Sequence, residues 1–121
     1  MFKINKAIRV KYSPKFEEQL RLLRNTIIEK DTKLEKQLLK AIQREVENLK
    51  IDPHRGTNIE KKKIPQKYIE EYGITNLWKI DLPDYWRILY SILGNEVEIV
   101  SVVLDFMDHK EYDKLFGYRK R

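Results

Sequence analysis

The chain has 121 residues, 41% hydrophobic and 36% charged, which suits one domain spanning residues 1–121, with enough apolar material for one core. It has no cysteine and two histidines, which excludes disulfides and thiolate chemistry and speaks against a structural zinc site. A net charge of +6 favours an anionic partner, nucleic acid first, while the lack of any apolar run near the ~20 residues needed to span a bilayer and a start too charged for a secretory signal lead us to expect a cytoplasmic protein without membrane association.

Residues 7–12, AIRVKY, alternate apolar and basic side chains, as a half-buried strand does. SPKFEE follows: Ser13 suits an N-cap, Pro14 the first helical position, and Glu17 and Glu18 the first turn. Phe16, Leu20, Leu23 and Ile27 recur at helical spacing and predict a helix over 14–29. Thr32 and Glu35 read as a capping box that opens a second helix. Its stripe is Leu34, Leu38, Ile42, Val46 and Leu49, and it stops before Asp52-Pro53. The short link predicts an antiparallel helical hairpin.

Residues 54–67 carry Arg55, Lys61, Lys62, Lys63 and Lys67 against Glu60, a basic loop with room for a short strand at 58–64. His54 reads as a loop residue. PQKYIEEYG predicts a short helix with Pro65 near its start and Gly73 past its end. Strands are expected at 77–82, 86–92 and 97–106, the last two joined by a tight turn at Gly94-Asn95, and a helix from about Lys110 to Phe116. The fold class is α+β: an N-terminal strand, a two-helix hairpin, a three-stranded antiparallel meander completing one sheet, and a short C-terminal helix.

Trp78, Ile80 and Leu82 share one side of their strand, and Trp86, Ile88, Tyr90 and Ile92 one side of the next. Both sides must face the same core, which requires an odd-length connection such as Pro83-Asp84-Tyr85. Asp81 then lies opposite Arg87, with Lys79 one step along, on a polar face away from the helices. The strand 97–106 is apolar on both sides, so its register stays open.

The stretch DHKEY supplies a further group of residues. Asp108 and Glu111 form a D-x-x-E cap, which leaves His109 and Tyr112 three apart on one helical face.

LWKIDLPDYWRILYSI, an apolar strand and then DHKEYDKL resemble the C-terminal half of the RelE/ParE superfamily of type II toxin–antitoxin toxins, and the preceding strand and hairpin match that family's order. The resemblance implies either a RelE-like endoribonuclease that cuts mRNA at the ribosome or a ParE-like gyrase inhibitor without catalysis; a degenerate, non-toxic member is the third possibility. For the ribonuclease it implies Lys79, Arg87, His109 and Tyr112 as catalytic residues, with the division of acid and base between them unassigned. Arg55, Lys61, Lys62, Lys63 and Arg119 would bind RNA. The implied partners are a cognate antitoxin, in a hetero-oligomeric complex, together with the ribosome and mRNA; no cofactor or metal is implied.

Overall fold

The structure, a computed structural model, describes residues 6–95 and 97–117. It begins with β1 (Ala7–Tyr12) and α1 (Pro14–Lys30). The Ser13 hydroxyl accepts from the Phe16 N–H at 3.0 Å and donates to the Leu104 carbonyl at 2.6 Å, so one side chain caps the helix and ties it to the sheet. Asp31, with φ at 49°, closes α1 through a bond from its N–H to the Ile27 carbonyl. α2 (Lys33–Leu49) follows. Its expected capping box takes another form: the Thr32 hydroxyl donates to the Glu35 carboxylate and caps no backbone N–H. The anion beside it is the stronger acceptor for that proton.

β2 is only Thr57–Asn58, and residues 61–63 form a 3₁₀ turn where a strand over 58–64 was expected. Three consecutive lysines have no apolar side to bury, so the segment is pinned at its ends by buried Ile59 and Ile64. Gly56 permits a close crossing there, because a Cβ would stand 2.5 Å from the Lys79 carbonyl and 2.8 Å from the Tyr90 hydroxyl. Next come α3 (Gln66–Tyr72), β3 (Trp78–Leu82), β4 (Trp86–Gly94), β5 (Glu98–Asp108) and α4 (His109–Phe116).

The five strands form one sheet in the order β1-β5-β4-β3-β2. β3, β4 and β5 make the expected antiparallel meander, and β1 adds in parallel along the outer side of β5. Across the three-residue link, Leu82 faces Trp86 and Asp81 faces Arg87, the register that parity required.

The hairpin α1/α2 covers one face of the sheet, where Phe16, Leu20, Ile42 and Val46 pack against Ile80, Ile88, Tyr90 and Phe106. The opposite face departs from the expected solvated surface. Leu89, which lies between Arg87 and Ser91 on β4, is fully buried with Leu77, Leu104 and Met107 beneath Ile59, Ile64, Tyr68 and Tyr112. The sheet thus divides the apolar material into two clusters, and Lys79 and Arg87 border the second one.

β5 resolves its own ambiguity by changing register. Tyr90 pairs with Val103 but Leu89 pairs with Asp105, so Leu104 is an extra residue. Val103 and Phe106 therefore both belong to the hairpin side, and Leu104 and Met107 to the other. No single parity holds along the strand.

Candidate functional site

Strand pairing brings two cations and a carboxylate together. Lys79 Nζ donates to the two Asp81 oxygens at 3.2 and 3.4 Å. Arg87 Nε lies 2.9 Å from Asp81 Oδ1 but out of line for a hydrogen bond, so a buried donor has charge contact without a directed acceptor. The Lys79 and Arg87 side chains are 25% and 20% exposed, whereas Asp81 is 59% exposed, so the anion is the outer member of the cluster.

α4 lays Tyr112 over this pair. The Tyr112 ring centre is 5.9 Å from Lys79 Nζ and 5.5 Å from Arg87 Cζ, within cation–π range. Phe116 stacks on the same ring at 4.4 Å. Tyr112 is buried and belongs to the second core, so it supports the cations from behind. Three of the four residues expected to act together are therefore in one cluster.

His109, the first residue of α4, is half-buried, and Asp108 fixes its backbone by accepting from the Glu111 N–H at 2.9 Å. Its ring meets Tyr85 edge-on at 5.4 Å. Tyr85 was not among the sequence candidates. It is 70% exposed, and it and Asp84 both take positive φ, at 65° and 61°. An aspartate tolerates that conformation, but for a bulky L-residue it costs roughly 1–2 kcal/mol. The signal in the sequence was a three-residue hairpin link without glycine.

The remaining candidates divide. Arg55 is engaged by Glu45, with Nε to Oε1 at 2.5 Å and Nη2 to Oε2 at 3.1 Å, a fork that fastens the 50s loop to α2. Burial pushes the Glu45 carboxyl up, but the hydrogen bonds from Arg55 and Asn48 outweigh it and hold it below the ordinary glutamate value. Lys61, Lys62 and Lys63 are exposed, with Glu60 3.7 Å from Lys62 and 3.8 Å from Lys63. Arg119 lies outside the described residues. His54 packs edge-on against Trp78 at 5.4 Å.

Asp105 is a second residue that sequence reasoning passed over. It is 1% exposed and accepts from Lys15 Nζ at 2.8 Å, Gln19 Nε2 at 2.7 Å and Tyr68 Oη at 2.5 Å. Burial, followed by the Asp105 charge, drives the Tyr68 phenol strongly upward, so it remains a donor. This knot joins α1, α3 and β5 beside an open groove of about 580 Å³ that Trp86, Glu111 and Lys114 also line. Among the described residues no His, Asp and Glu group is arranged to hold a metal ion, and no helix is long and apolar enough to cross a membrane.

Residues 10–110 match a family model described as "ParE toxin of type II toxin-antitoxin system, parDE". Comparison with curated proteins and comparison with solved structures each returned no match.

Proposed function

The chain belongs to the ParE toxin family of type II toxin–antitoxin systems, and from the geometry of its cation cluster we propose that it arrests translation by cutting mRNA at the ribosome. Membership makes it the toxin of a pair with a cognate antitoxin. The observation that carries the cleavage reading is the Lys79–Arg87–Tyr112 cluster, in which a buried guanidinium Nε lacks a directed acceptor.

In this reaction the ribose 2′-oxygen attacks the adjacent phosphorus and the 5′-oxygen of the next nucleotide leaves. The products are a 2′,3′-cyclic phosphate and a 5′-hydroxyl. Arg87 and Lys79 stabilise the charge that accumulates on the phosphorane-like oxygens. Two protons move: the one leaving the 2′-hydroxyl and the one reaching the departing 5′-oxygen; His109, the first residue of α4, carries one of these transfers and water the other. Tyr112 holds the two cations in place, and the exposed lysines 61–63 add positive potential along the RNA path.

Primer extension on mRNA from translating cells tests this. Arg87→Ala and His109→Ala should each reduce cleavage about 10²–10⁴-fold while melting like folded protein. Full cleavage by both variants removes these residues from the mechanism.

A second reading, inhibition of gyrase without cleavage, is favoured by Asp81, which contacts both cations and lowers their net charge in the free protein. A supercoiling assay run beside primer extension separates the two readings: inhibition of supercoiling with intact mRNA selects the second.

A further inference from the structure

We propose that Tyr85, backed by His109, is the seat of an unpaired nucleobase next to the phosphate bound by Arg87. The inference deepens the mRNA-cutting reading and rests on it for the identity of the polymer.

Tyr85 is expensive for the fold and contributes little to it. Its backbone sits at φ 65°, where glycine would be at ease, and its side chain is 70% exposed. It belongs to neither apolar cluster. An aromatic held in such a conformation with so little burial is explained if its ring meets something outside the chain.

Three features fit a base. The ring is steadied along one side by the edge-on His109 imidazole, which leaves a flat surface toward solvent. Arg87 is two residues along the same chain, at the start of β4, and α4, whose first residue His109 backs the Tyr85 ring, also carries Tyr112, whose ring centre lies 5.5 Å from the Arg87 guanidinium carbon. Tyr112, the other aromatic of the site, is already stacked on Phe116 and buried, which leaves Tyr85 as the exposed platform. Stacking on an exposed aromatic recognises any unpaired base and is denied to bases inside a duplex.

The test compares wild type with Tyr85→Gly and Tyr85→Phe. Binding of a short fluorescent single-stranded RNA, and of the same RNA annealed to its complement, is read by anisotropy; cleavage is read by primer extension in translating cells. We expect wild type to prefer the single strand. Tyr85→Gly should bind it about tenfold or more weakly with duplex affinity unchanged, and should melt at or above the wild-type temperature because the left-handed backbone is relieved. Tyr85→Phe should behave as wild type. Retention of single-strand affinity by Tyr85→Gly, or equal loss on both RNAs, overturns the proposal. If wild type cuts mRNA and Tyr85→Gly cuts it equally well, the base seat falls while the nuclease reading stands. If Tyr85→Gly loses single-strand binding in a protein that cuts no mRNA, the seat stands and the nuclease reading falls.

Discussion

Removing the Asp105 carboxylate should expose how the knot behind the site is wired. In Asp105→Ala, Lys15 turns to water at little cost, because its side chain is already 46% exposed. Gln19 keeps its bonds to the Phe106 carbonyl at 2.9 Å and from the Phe106 N–H at 3.1 Å. Tyr68 has no such recourse: it is 1% exposed, and Asp105 is the acceptor of its hydroxyl. A buried donor left unmade costs about 1–3 kcal/mol, so that hydroxyl dominates the damage. For a chain of this length each kcal/mol corresponds to roughly 3–6 °C in melting temperature, which puts the loss at about 3–18 °C. Tyr68→Phe alone should cost about 1 kcal/mol, since Asp105 retains two donors. In the Asp105→Ala background the same change deletes an orphaned hydroxyl and should be neutral or stabilising. Urea denaturation of the four proteins measures this coupling. Strict additivity of the two single changes would refute the wiring.

Three further outcomes are expected. Gly56→Ala drives a methyl into the Lys79 carbonyl and Tyr90 hydroxyl and should destabilise by about 2–4 kcal/mol in urea titration, with Gly56→Ser no better. Asp81→Asn releases Lys79 and Arg87, so affinity for single-stranded RNA should rise at low salt and its dependence on log salt should steepen by about one unit; weaker binding would mean Asp81 holds the cations in working order. Glu45 has a folded pKa below its unfolded value, so its contribution is complete above the ordinary glutamate range and disappears as pH falls through the folded pKa. Glu45→Gln should flatten that part of the acid unfolding curve, measured as urea midpoint against pH.

Much of the architecture was legible because local signals agreed. Ser13 and Pro14, the stripe from Leu38 to Leu49, and the odd link at 83–85 each have one physical solution, and the structure adopts it, whereas Leu34, expected at the head of that stripe, is 65% exposed. The pairing of Asp81 with Arg87 followed from parity alone. The second apolar cluster was hidden because Leu89 sits between Arg87 and Ser91 and reads as an interruption of a polar side. The change of register at Leu104 was hidden because both parities of that strand look apolar. For the site, residue type pointed to Lys79, Arg87 and Tyr112, yet no pattern could show that Arg55 would be held by Glu45 or that Asp105 would meet Lys15 and Gln19 across 90 and 86 residues. Such contacts are products of tertiary closure and leave no periodic trace.

The parallel pairing of β1 with β5 also sets an order of assembly. Ala7 meets Glu98 and Ser13 bonds Leu104, so the earliest described strand waits for nearly the last. A growing polypeptide can wind its helical hairpin early and meet β3 and β4 once these are made, but the central strand β5, which joins β1 to them, is missing until the chain has been made past residue 104. Closing so wide a loop is slow compared with forming local contacts. β1 therefore stays unpaired until β5 is made, and Tyr112, which lies over the two cations, comes later still.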